Sequence, residues 1–164
     1  MRGAAAMDET RTFDLIIRAQ VTIARPVQEV WPRFLKIEDW MENLRFQRVS
    51  GAAGQEGEVR LVTSTQEGTA YPAYFITAVR VVPFEQYVLK VRPQTGGAYF
   101  GFADFSFESA PGAVRVIYDI YNELNVPAMS DQAFREFAAQ QHDAARLDIA
   151  RNNRNLKALA EQGA

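Results

Sequence analysis

The order of apolar patterns along this 164-residue chain predicts an α+β domain, a curved antiparallel sheet of about seven strands closed by one long C-terminal helix. Three observations carry that reading. Strand-like runs, marked by period-two alternation or by β-branched and aromatic enrichment, recur along most of the chain. Helical spacing interrupts them only once, near the start, so the later strands join by short turns and pair antiparallel. The chain then closes with about 32 residues of unbroken helical character, from about Asp131 to Gln162, a rod of ~48 Å that can lie across a whole sheet. A sheet gripped by one helix tends to enclose a cavity, so a small-molecule pocket is the expectation.

From Phe13 to Ile23 the odd positions Phe13, Leu15, Ile17, Ala19, Val21 and Ile23 are apolar, while Asp14, Arg18, Gln20 and Thr22 are polar. This is a strand with one buried face. Pro26 suits the first position of a helix, and Val27, Val30, Trp31, Phe34 and Leu35 follow at helical spacing, with Pro32 expected to kink or break the run. A second short turn, about Ile37 to Met41, presents Trp40. Strands follow from Phe46, then over Gly57–Thr65, Tyr71–Val82, Gln86–Arg92, Tyr99–Glu108 and Val114–Leu124, separated by turn residues such as Pro111-Gly112. Ser130 or Asp131 can cap the closing helix and Gly163 can end it.

Composition narrows the function classes. Apolar residues are 48% and aromatics 12% of the chain, which excludes disorder for its body. The net charge of −2, with both signs dispersed, gives no electrostatic reason to expect nucleic acid. Without cysteine there is no disulfide, thiolate ligand or cysteine nucleophile, and with a single histidine no metal site and no cofactor are expected. Asp8 and Glu9 follow Met1 too closely for a signal peptide, and no stretch approaches the ~20 apolar residues of a membrane span. The expectation is a cytoplasmic, single ligand-binding domain over residues 12–164 behind a flexible tail of residues 1–11, a monomer or homodimer without integral membrane association.

Stepping the closing helix at ~100° per residue gathers Phe134, Phe137, Ala138, Gln141, Ala144, Ala145, Asp148, Ile149, Asn152, Leu156 and Leu159 on one side. The middle of that stripe is small and also polar, which suggests a partly wet cavity rather than a dry core. On the strands, alternation turns Tyr118, Ile120 and Asn122 inward with Val114 and Val116, and Tyr99 inward with Gly101, Ala103, Phe105 and Phe107. The predicted ligand-binding set is Tyr71, Tyr99, Phe105, Tyr118, Asn122, Phe134, Ala138, Gln141 and Ala145, since tyrosine offers an apolar body with one directed hydroxyl. Asp148 and Gln141 are the catalytic candidates, Asp148 as a buried acid with a raised pKa, against the more usual reading of a carboxylate paired with a strand residue such as Arg60 or Arg115. His142 lies at the edge of the stripe, as a boundary histidine would. Trp31 and Trp40 read as core, and Arg146, Arg151, Arg154 and Lys157 as complements of the helix dipole.

The segment Ala24-Arg25-Pro26-Val27-Gln28-Glu29-Val30-Trp31, with Trp40 nine residues on and Asn155-Leu156-Lys157-Ala158-Leu159-Ala160-Glu161 near the end, resembles the START-like helix-grip superfamily (SRPBCC, birch-pollen-allergen-like). The resemblance covers about Phe13 to Glu161 and implies the helix-grip fold, with a ligand cavity between sheet and helix. Asp119 to Asn155, with its Val126-Pro127-Ala128 exit loop, looks most like the polyketide cyclase/dehydrase branch. That likeness implies a cavity arginine on a central strand, where Tyr71–Val82 offers only Arg80 near its end, out of register with that pattern. Three readings follow. The domain binds a hydrophobic or aromatic small molecule as a polyketide cyclase/aromatase or dehydratase; it is a non-catalytic carrier or sensor of a lipid-like ligand; or its pocket is vestigial and its surface binds a partner.

Overall fold

Alternation along the chain builds a seven-stranded sheet in the computed structural model, which describes residues 10–65, 73–93 and 99–162, at Tyr99 by its backbone alone. The elements are β1 (Thr10–Ile23), α1 (Val27–Phe34), a 3-10 turn (Ile37–Asp39), β2 (Leu44–Ser50), β3 (Val59–Ser64), β4 (Tyr74–Val82), β5 (Gln86–Pro93), β6 (Tyr99–Ala110), β7 (Ala113–Pro127) and α2 (Asp131–Glu161). The strand order is β1-β7-β6-β5-β4-β3-β2, with every pairing antiparallel. Strands β2 to β7 thus form a meander, and β1 returns beside the last strand, from Thr10 opposite Pro127 to Ile23 opposite Val114. The pairing begins three residues before the alternation does, because strand β7 is long enough to template it.

Proline behaves differently from expectation in α1. Pro26 is the N-cap, with its carbonyl accepting from the Glu29 and Val30 N–H groups, rather than the first helical residue. Pro32 does not break the helix, which continues to Phe34. In so short a helix it forfeits a single ladder bond, and its ring faces solvent.

One end of the domain is a dry aromatic core. Phe34 is 1% exposed, and the rings of Trp31, Trp40, Tyr87, Phe105 and Phe107 surround it at centroid distances of 4.9–5.8 Å. Trp40 stacks on Phe34 and donates its Nε1–H to the Phe34 carbonyl at 2.9 Å, which satisfies the one polar group the indole buries. Both tryptophans are core residues, as the sequence suggests.

Helix α2 begins at Ser130, whose hydroxyl accepts the Ala133 N–H at 3.2 Å. It ends with Gln162 as C-cap, and Gly163 lies outside the described residues. Contacts at both ends align it with β1. Near its start, Arg11 pairs with Asp131 at 2.9 Å and lies over the Phe134 ring, and Phe13 meets Phe134 and Phe137 edge-on at 6.3 Å. Near its end, Lys157 donates to the Thr22 carbonyl, Glu161 accepts from the Ala24 N–H, and Arg33 donates to the Leu159 carbonyl.

Candidate functional site

Sheet and helix seal against each other along only part of their length. In the second half of α2 the inward residues Ile149, Asn153, Leu156 and Ala160 are buried, against a sheet whose Val114, Val116, Phe105 and Phe107 are also buried. In the first half, Phe134, Phe137, Ala138, Gln141 and Ala145 are only half-buried, and so are Ile120, Asn122, Leu124, Tyr74 and Val91 on the facing strands. Half-burial on both walls marks this stretch as the part where the two layers are least closely sealed, although Leu15, Ile17 and Ala103 within it are buried.

The register of β1 locates its walls. Between the Phe13–Phe134 and Thr22–Lys157 contacts, the strand advances about 30 Å and the helix about 35 Å. Interpolating along both, Leu15 and its partner Asn122 lie about level with Ala138 to Gln141, and Ala19 with its partner Tyr118 lies about level with Ala145 to Ile149. Across β6 the same floor is lined by Gly101, Ala103 and Phe105, opposite Asn122, Ile120 and Tyr118. Small residues thus face one another from both sides, while Asn122, Tyr118 and Gln141 are the polar groups among them.

Two of these polar groups are fixed by their neighbours. Tyr118 stacks on Phe105 at 4.1 Å with an interplanar angle of 16°, and burial, with Tyr74 adding to it, pushes its phenol well above the ordinary tyrosine range. It is a proton-retaining hydroxyl that can donate a hydrogen bond. Asn122 lies against the backbone of Gly101, where a Cβ would overlap its amide oxygen and sit 2.8 Å from the Tyr121 carbonyl. Glycine is therefore the residue that admits this amide. Burial also pushes Tyr74 up to about 12.

Two hollows among the described residues lie away from α2. One, of about 10 Å³, lies among Phe34, Leu35, Ile37, Arg60, Ile76, Tyr87 and Leu89, room for roughly one water. The other, about 420 Å³, is an open groove at the β2 edge lined by Glu38, Leu44, Arg45, Phe46, Gln47, Leu61 and Thr63.

No family model matches the sequence, and no curated protein matches it. Solved structures do. The Zhui aromatase/cyclase from a Streptomyces species superposes with a TM-score of 0.69 at 10% identity, over 94% of this chain and 95% of that one. Norcoclaurine synthase from Thalictrum flavum superposes with a TM-score of 0.63 at 11% identity, over 93% and 89%. Ara h 8.0201 does so with a TM-score of 0.57 at 12% identity, over 94% and 100%.

The chain shares the helix-grip fold of these structures. In this helix-grip domain Phe105, Tyr118 and Asn122 alternate along β6 and β7 with outward residues, and Phe134, Ala138, Gln141 and Ala145 are half-buried along the first half of α2. Tyr71 lies outside the described residues, and Tyr99 is described by its backbone only, opposite Leu124. His142 is half-buried beside the stripe.

Asp148 is a correction. Its side chain is 57% exposed and pairs with Arg151 one turn along the same helix at 2.8 Å, not with Arg60 or Arg115. The buried positions in this half of α2 are Ile149, Asn153, Leu156 and Ala160, whose mean direction lies roughly 110° round the helix from Asp148. The inward stripe drifts as α2 follows the twisted sheet, so one fixed sector misplaces Ala144 and Asp148, both exposed, and leaves out Asn153, which is 7% exposed. The amide oxygen of Asn152 is enclosed without a hydrogen-bond partner among the described residues.

Arg80 is exposed and follows a register shift in β4 that turns it away from the concave face, in keeping with its out-of-register position in the sequence. The arginine that reaches the interior is Arg60 on β3. Its Nε donates to Glu58 at 2.8 Å, Nη1 meets Glu38 at 3.2 Å, and Glu58, 2% exposed, also accepts the Gly54 N–H. Burial works against the guanidinium charge, but the hydrogen bond and charge of Glu58 outweigh it and leave the Arg60 pKa raised. The alternation Glu58, Arg60, Val62 was the available signal for this inward pair.

Among the described residues no cluster of metal-ligating groups is found and no helix is long and apolar enough to cross a membrane.

Proposed function

We propose that this domain binds a hydrophobic or aromatic small molecule bearing oxygen functions, in the cleft between the first half of α2 and the concave sheet. The carrying observation is the pairing of small residues on both walls, Ala138 and Ala145 against Gly101 and Ala103, with the hydrogen-bonding groups of Tyr118, Asn122 and Gln141. Apolar walls supply affinity, and a few directed polar groups set orientation. Tyr118 donates to a carbonyl or phenolate oxygen, and the Asn122 and Gln141 amides can donate or accept.

Catalysis in this reading is folding and orienting a reactive oligoketide or aromatic chain so that intramolecular attack is favoured. Structural likeness to an aromatase/cyclase and to norcoclaurine synthase supports it. The outward turn of Asp148 favours the second reading, a carrier or sensor that positions its ligand without acid–base chemistry. Native mass spectrometry of the purified protein tests the binding reading. A retained aromatic or polyketide-like molecule that is lost in Ala145→Phe supports it. Retention undiminished in both Ala145→Phe and Ala138→Phe refutes the location. Turnover of the retained molecule by the parent protein separates enzyme from carrier.

A further inference from the structure

The convex face of the sheet carries an aromatic row with charges of opposite sign on its two flanks. In register across four strands lie Ile16, Tyr121, Phe102 and Lys90. In the next row lie Asp14, Glu123 and Phe100, and the pairing of Val91 with Gly101 places Arg92 opposite Phe100. Ile16 is 64% exposed and Phe100 37% exposed, large apolar side chains open to solvent. Phe100 and Phe102 meet edge-to-face at 5.1 Å, and Lys90 reaches over Phe100.

Among the described residues the charges of these rows are not balanced by ion pairs within the chain. Asp14 and Glu123 stand directly opposite each other, like charges that disfavour the pairing. Among the described residues no cation pairs with either, and no acid pairs with Lys90 or Arg92. The Tyr121 hydroxyl donates to Asp14 at 3.4 Å, and of the other acids on this face Asp119 is engaged by Arg18 and Asp104 by Gln86. Burial, then the charges of Asp14 and Glu123, push the Tyr121 phenol upward.

We propose that this face joins two copies of the chain about a two-fold axis parallel to β6, a surface separate from the ligand cleft. Such an axis lays β6 on β6, so that Phe100 and Phe102 meet their own counterparts. It carries β5 of one copy over β7 of the other, and Arg92 then meets Glu123 of the second copy twice, once from each side. A two-fold across the strands would instead set β5 on β5 and β7 on β7, bringing like charges together. Sheets packed face to face lie ~10 Å apart, within reach of an arginine and a glutamate extended toward each other. The interface is isologous and self-complementary, as two-fold symmetry requires.

Sedimentation equilibrium of the whole chain tests this with charge reversals. The parent protein is expected to dimerise. Glu123→Arg alone and Arg92→Glu alone should each weaken the dimer about tenfold or more. Both changes in one chain should restore it, and mixing the two single variants should form heterodimers in preference to either homodimer. Circular dichroism melting of each variant confirms that its fold is retained. A parent protein that stays monomeric, a dimer indifferent to Glu123→Arg, or a double reversal that fails to restore association would each overturn the proposal.

Discussion

Replacing Phe34 with alanine removes the ring on which the closed end of the domain is assembled. The side chain is 1% exposed, with five aromatic neighbours at 4.9–5.8 Å. Truncating a buried phenylalanine costs ~3–5 kcal/mol, and the cost rises when the site cannot collapse. Here Tyr87, Phe105 and Phe107 stand on paired strands and Trp40 is tied by its hydrogen bond to the Phe34 carbonyl. The upper part of that range, ~4–5 kcal/mol, is therefore expected. For a domain of this size each kcal/mol lowers the melting temperature by ~2–4 °C, giving a fall of ~8–20 °C. Urea unfolding followed by tryptophan fluorescence reads the loss directly, because Trp31 and Trp40 flank the site. Leu147→Ala, at a residue 72% exposed, is the control and should change stability by no more than ~0.5 kcal/mol. A loss below ~1 kcal/mol for Phe34→Ala would refute the claim that this end is a rigid, well-packed scaffold.

Gly101→Ala should displace the Asn122 amide and press on the Tyr121 carbonyl, at a cost of ~1–3 kcal/mol, with weakened ligand retention; an unaltered protein in thermal melts and mass spectra would show that Asn122 does not depend on this glycine. Glu58→Gln leaves the Arg60 guanidinium without its closest partner and should cost ~3 kcal/mol, the low end for a broken buried pair because Glu38 remains; urea midpoints check this. Alkaline pH should destabilise the fold through its buried tyrosines. An unfolded tyrosine ionises near ~10, whereas burial, reinforced by Glu58 in the case of Tyr87, pushes Tyr74 and Tyr87 up to about 12. Below pH ~10 both states keep their protons and the stabilisation is complete; as pH rises from ~10 to ~12 the unfolded chain has released protons that the folded one retains, so stability is lost. Urea midpoints that stay flat across that window would contradict the burial of these phenols.

The parts of the structure that were legible in the sequence are those set by short-range periodicity. Alternation in Ala113–Pro127 turned Tyr118 and Asn122 inward because a strand's period is fixed by its pleat, and register with β6 then brought Phe105 and Gly101 beside them. The long helix was equally plain, but its facing was not. Over 31 residues a small angular drift accumulates, and it separates Asp148, which faces solvent, from Asn153, which does not. The Glu58–Arg60 pair was obscured for another reason. Charged residues near a turn read as surface, and only the convergence of β3, the 3-10 turn and Gly54 encloses them. Pro32 likewise read as a breaker, since the sequence does not show how little ladder remains beyond it.

Amide chemical-shift mapping during titration with an apolar aromatic ligand tests the central claim most directly. In the proposed site the ligand lies between the first half of α2 and the inner face of β6 and β7. Saturable shifts should therefore cluster at Ala138, Gln141, Ala145, Gly101, Tyr118 and Asn122. Shifts centred instead on Glu38, Leu44, Phe46 and Leu61, around the open groove at the β2 edge, would contradict it.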